Sequence, residues 1–186
     1  MSVIRVDLKN IQGLRAKLVN LASAELQVGW FEGTQYNDGT PVAGVAAVQE
    51  FGSASRAIPP RPFFRPTIAE QQGEWTKKTE SILSRYIGGS LTSEQSLNVI
   101  GAMVVGDVQD KISTINSPKL SPVTIALRRL RDDGVQISGS LVGQVAQAIA
   151  DGKTAKGELG DQTYPNVKPL NDTGYMLATL TYNVRT

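Results

Sequence analysis

The chain has 186 residues and a formal charge of +2, enough length for one well-filled domain with room for a subdomain. That charge lacks the basic excess with which a dedicated nucleic-acid binder neutralises phosphates, so any DNA contact is expected to be incidental. Cysteine and histidine are both absent, which removes disulfides, thiolate nucleophiles, imidazole general bases and the usual zinc ligands together. No stretch approaches the roughly 18 apolar residues of a membrane span, and the N-terminus has no basic region followed by an apolar run. The expectation is a protein made and folded in a cytoplasm, with no membrane partner.

Ile4, Val6 and Leu8 alternate with Arg5 and Asp7 in the period of a half-buried strand, and Asn10 is placed to cap a helix carrying Ile11, Leu14, Leu18 and Leu21 on one face. Between Glu25 and Glu32, Leu26, Val28 and Trp30 alternate again, so a second strand is predicted before the turn chemistry of Asn37-Asp38-Gly39. Val42, Val45, Ala46 and Val48 with Gln49 then form a short helical face, stopped at Gly52.

Beyond Gly52 lies a proline-rich arm, residues 53–66. Pro59, Pro60, Pro62 and Pro66 remove backbone donors and fix φ near −65°. Ile58 to Pro66 is therefore expected to run extended, anchored by Phe63 and Phe64 and interleaved with Arg56, Arg61 and Arg65. Two uses are open, and compatible. The arm is pinned to its own core by Ile58 and a phenylalanine, or it docks on a neighbouring subunit through aromatic and arginine anchors.

Pro66 suits the first turn of a helix over 67–87, with Ile68, Gln72, Trp75, Thr79, Ile82 and Tyr86 near helical spacing and Gly88-Gly89 as its stop. Thr92 or Ser93 caps a second helix over 94–115, striped by Leu97, Ile100, Val104, Val108, Ile112 and Ile115. Gly101 and Gly106 lower its helix propensity, so both are read as sites of close packing by a neighbour.

The connector Ser117-Pro118-Lys119-Leu120-Ser121-Pro122 ends in an N-cap, Ser121, and a first-turn proline. The short helix that follows bears Arg128, Arg129 and Arg131, either a solvated face or a basic cluster for phosphate or an acidic partner. Residues 131–165 read as an insertion: a short amphipathic helix with Leu141, Val145 and Ile149, then a mobile Gly-rich loop. At the end, Asp172 is placed to cap a single helical turn through Tyr175 to Leu177. Leu180, Tyr182 and Val184 then alternate as a strand that closes the sheet.

The fold class predicted is α+β. A small, mostly antiparallel sheet from the N-terminal strands and the C-terminal strand packs against two long helices, 67–87 and 94–115, with the proline-rich arm extended. Residues 1–130 and 166–186 form one domain, interrupted by the 131–165 insertion. Asp172-Thr173-Gly174 spells the aspartic-protease triplet, but it follows Pro169-Leu170-Asn171 and leads into a helix-like start rather than β structure. A cap is the better reading. The glycines form no phosphate-binding loop and the aspartates no calcium-loop spacing, so neither catalytic residues nor a cofactor or metal is predicted.

Two motifs carry a resemblance. Glu50-Phe51-Gly52 followed by Ile58-Pro59-Pro60-Arg61-Pro62-Phe63-Phe64-Arg65-Pro66 resembles the "EFG … IPxRPFxRP" signature of the tailed-phage neck and tail-completion proteins, with their Mu-type morphogenesis relatives. Pro169-Leu170-Asn171-Asp172-Thr173-Gly174-Tyr175-Met176-Leu177 resembles the "PLxDTGxL" element of the same group. The resemblance implies a virion structural protein at the head-to-tail junction, ring-forming in six or twelve copies. Its partners would be adaptor or head-closure proteins and tail-tube or tail-terminator proteins. Glu50, Phe51, Gly52, Ile58, Pro59, Arg61, Pro62, Phe63, Phe64 and Arg65 would serve as a subunit-interface arm. A non-virion assembly factor would carry the same resemblance. The 131–165 insertion departs from the family pattern, so contacts there do not transfer.

Overall fold

In a computed structural model, residues 8–155, 157–165 and 167–185 are described, with side chains from Ile11 onward. They form seven α-helices and a two-stranded antiparallel sheet, in a mixed but mostly helical fold. The chain divides into two compact units, each built from separate stretches. One takes residues up to Thr34, Phe64–Gln109 and the C-terminal strand; the other takes Gln35–Phe63 and Asp110–Thr179.

The first unit holds α1 (Leu8–Ser23), β1 (Glu25–Gly29), α3 (Phe64–Ile87), most of α4 (Ser93–Thr114) and β2 (Thr181–Arg185). The strand predicted at residues 4–8 lies mostly outside the described residues, and Leu8 itself opens α1, ahead of the expected cap at Asn10. Ile11, Leu14 and Leu18 form the expected stripe, yet each is about half exposed. β1 pairs with β2 in a register that sets Val28 opposite Tyr182 and Leu26 opposite Val184, so the two alternating runs share one antiparallel ladder as expected.

α4 starts with a capping box. Thr92 Oγ1 accepts the Gln95 N–H at 3.1 Å while the Gln95 side chain accepts the Thr92 N–H at 3.0 Å, which settles the cap on Thr92. Of the two helix glycines, only Gly101 is a close-packing site. A Cβ there would meet the Tyr182 ring at 2.5 Å, whereas one at Gly106 would meet nothing within 4 Å. The packing expectation is thus corrected for Gly106. Trp75 Nε1 donates to Asp107 at 2.6 Å, tying α3 to α4. Lys17 Nζ donates to the carbonyls of Tyr86 and Ile87 at 3.3 and 2.8 Å, capping the C-terminus of α3, and Tyr86 returns its hydroxyl to the Lys17 carbonyl.

The second unit holds α2 (Val42–Phe51), the arm up to Phe63, the end of α4, α5 (Pro122–Asp132), α6 (Gly139–Ala150) and the short α7 (Tyr175–Ala178). Its core includes Val42, Ala46, Phe63, Ile112, Leu120, Ile125, Ala126, Val145, Leu170 and Met176, all buried. α5 begins as predicted, with Pro122 in its first turn and Ser121 Oγ accepting the Thr124 N–H. α6 packs on α5 and buries Val145. The segment read as a mobile loop has contacts of its own. Arg129 donates to the carbonyls of Gly157 and Glu158, and the buried Asp161 carboxylate accepts the N–H groups of Gly157 and Thr163. Those bonds hold the Asp161 carboxyl below the usual carboxylate range.

Among the described residues, no helix is long and apolar enough to cross a membrane.

Candidate functional site

The arm residues Glu50 to Phe63 are arranged as a clasp within the second unit. Gly52 ends α2 at φ 75°, ψ 177°, a region that only glycine enters readily. A Cβ there would meet the Ile58 carbonyl oxygen and the Pro60 nitrogen at 2.9 Å. The chain then folds through a single 3-10 turn, Ala54–Arg56, closed by a reciprocal pair of backbone bonds between Ser53 and Ile58 at 2.8 and 3.0 Å. The extended run expected over Ile58 to Pro66 stops at Phe63, since Phe64, Arg65 and Pro66 already form the first turn of α3.

The side chains of this stretch divide by exposure. Glu50, 4% exposed, accepts the Phe63 N–H at 2.7 Å. Phe63, 1% exposed, fills the core. Arg61, 4% exposed, spreads its guanidinium over the connector, donating to the carbonyls of Pro118 (2.8 Å) and Lys119 (3.1 Å) and to Gln49 Oε1 (3.2 Å). Burial pulls its pKa below the ordinary arginine value, and the three acceptors stand in for lost water. Phe51, Pro59, Pro62 and Arg65 are exposed, while Ile58 and Phe64 are half-buried. Glu50, Arg61 and Phe63 therefore secure the arm to its own unit, the first of its two possible uses. Only the exposed residues are turned outward.

The C-terminal motif forms a second fastening. Leu170 is buried, and Asp172 receives two arginines of α5. Arg131 grips it with both terminal nitrogens at 2.6 and 2.7 Å and also reaches Asp132. Arg128 lies 3.3 Å away through Nε and donates to the carbonyls of Lys168 and Pro169. Hydrogen bonds donated to Asp172 and then to Asp132 raise the Arg131 pKa, whereas burial lowers that of Arg128 against the attraction of Asp172. This corrects two expectations. The arginines of α5 are not a bare solvated face, since Arg128 is buried and all three bond carbonyls or carboxylates of their own unit, although Arg131 stays exposed. Nor does Asp172 cap α7. The N-cap is Gly174, in the left-handed conformation, and Thr173 Oγ1 accepts the Tyr175 N–H at 3.3 Å.

Of the two motifs, only the C-terminal one, with Asp172 and Tyr175, lines a cleft of about 310 Å³, beside Tyr36, Gln49, Arg128 and Arg131 among others. Gln49 connects the two motifs, because it receives Arg61 of the first motif and faces the cleft holding Asp172 of the second. Tyr36 and Tyr175 stack at a tilt, ring centroids 5.3 Å apart. Burial, with Asp172 nearby, raises the Tyr36 pKa, so the phenol is neutral at ordinary pH. Sequence reasoning singled out the residues of both motifs but missed the partners of Asp172. The only available signal was the arginine spacing in α5.

Among the described residues, no group of three or more carboxylates is placed to hold a metal ion. No family model, no curated protein and no solved structure matches the chain.

Proposed function

We propose that the chain is a structural protein of a tailed-phage particle, acting at the head-to-tail junction as one copy in a ring of six or twelve. Its neighbours would be adaptor or head-closure proteins on one side and tail-tube or tail-terminator proteins on the other. One observation carries the reading. Residues 50–63 of the first motif and the whole of the second, widely separated in the chain, belong to one folded unit, where Gln49 receives Arg61 of the first and lines the same cleft as Asp172 of the second. Chance strings would have no reason to supply interlocking parts. The clasp needs Gly52 for its backbone, Glu50 for the Phe63 N–H and Arg61 for the connector; the cleft needs Asp172 for two arginines.

The same geometry weighs against a protease. Aspartic-protease chemistry requires two carboxylates sharing a proton, and the Asp172 carboxylate is instead held between two guanidiniums. The role is tested by mass spectrometry of purified particles together with a null mutant. The expected result is the chain in mature virions, and separate heads and tails in its absence. A chain required for joining but missing from particles would identify a non-virion assembly factor instead.

A further inference from the structure

Beside the cleft opens a second pocket of about 640 Å³, lined by Tyr36, Asn37, Asp38, Gly174 and Tyr175 among others. Its charged lining residue is Asp38, whose carboxylate closes its own turn by accepting the Thr40 N–H at 2.9 Å. Two tyrosine rings and one carboxylate favour a cation that can lie against a π face. Arg128 and Arg131, the cations of the adjoining cleft, are compensated by Asp172, and Arg131 also by Asp132.

The same unit presents a matching group elsewhere. The turn Ser53–Ile58 projects as a knuckle whose last 3-10 residue is the exposed Arg56. Its shape is preset by the reciprocal Ser53–Ile58 bonds and by Ala57, which holds φ 50°, a conformation rare outside glycine. A preset knuckle loses little freedom on docking. Pocket and knuckle lie at opposite ends of α2. The pocket loop stops just before Val42, the knuckle starts just after Gly52, and the ten-residue helix between them spans roughly 15 Å. A chain therefore cannot fill its own pocket.

We propose that Arg56 of one copy docks against the stacked Tyr36–Tyr175 pair of the next, beside Asp38, making a head-to-tail contact between second units. Complementary patches at two different places on one molecule form a heterologous contact, which closes into a ring when the rotation allows. This inference rests on the ring reading above.

The absence of native cysteine makes the test clean. Asn37→Cys at the pocket and Ser55→Cys on the knuckle are purified separately, mixed at high concentration and treated with a short bismaleimide. The expected product is a heterodimer from the mixture only, and a ladder from the double variant. Adding Arg56→Ala to the Ser55→Cys protein lowers the yield at least about tenfold, while Arg56→Lys retains it, with melting temperatures unchanged. No mixed product, self-products from either variant alone, or a yield indifferent to Arg56→Ala overturns the contact. A chain found ringed in particles with no cross-link sinks this contact alone. Cross-linking by a chain absent from particles sinks the neck reading and leaves the contact standing.

Discussion

Substituting Gly101 by alanine sets two effects against each other. Alanine is favoured over glycine in a helix interior by about 1 kcal/mol, so propensity alone predicts a more stable protein. At Gly101, however, the new Cβ would sit 2.5 Å from Cγ and Cδ2 of Tyr182, against an ordinary carbon–carbon contact of about 3.5–4.0 Å. Those atoms are the base of the ring, one and two bonds from its own Cβ, so the ring cannot swing clear without moving β2. Overpacking of this kind costs about 1–3 kcal/mol, and the size of the overlap points to the upper part of that range. The net expectation is a loss of about 1–2 kcal/mol, or a melting temperature lower by about 2–8 °C at this chain length. Gly106→Ala, on the same helix with nothing within 4 Å, should instead gain up to about 1 kcal/mol. Thermal and urea melts of both variants measure the difference, and in a Tyr182→Ala background Gly101→Ala should become stabilising. If Gly101→Ala raises the melting temperature in the wild-type background as Gly106→Ala does, the ring yields freely and the packing argument is wrong.

Phe63→Ala should cost about 3–5 kcal/mol in urea denaturation, because the ring is buried in its own unit; an unchanged midpoint would mean the arm stands clear of that core. Asp172→Asn should cost about 1–3 kcal/mol by removing the charge shared by Arg128 and Arg131, discounted because the pair is partly exposed. Since asparagine caps a helix as well as aspartate, no loss would restore the capping role. At alkaline pH the sign follows from the raised pKa of Tyr36. Above about pH 10 the unfolded phenol loses its proton while the folded one keeps it, so rising pH favours unfolding. Tyr36→Phe should flatten that limb of the stability profile, with Tyr164, raised by its bond to Asp132, supplying part of the remainder.

Local signals were legible in the sequence and tertiary ones were not. Ser121-Pro122, Thr92 with Gln95, and Gly52 announce helix ends because a cap is made by residues within one turn of each other. The alternations at 26–30 and 180–184 gave strands for the same reason, and their pairing was the simplest closure available. The grip of Arg131 on Asp172 spans 41 residues, so no local pattern encodes it. That a phenylalanine of the arm could turn inward was legible, but which of Phe63 and Phe64 does so was not, since a proline-rich segment has no facing periodicity from which to read burial. Gly106 misled because low propensity in a helix has more than one cause, and only the neighbour over Gly101 distinguishes the two sites.

The claim that matters most is the place of this chain in a particle. A reconstruction of purified virions from a phage that encodes it tests that directly. The account predicts an ordered ring of six or twelve copies on the tail axis at the head-to-tail junction. A single copy, a location far from the neck and tail, or particles that join and infect without the chain would contradict it.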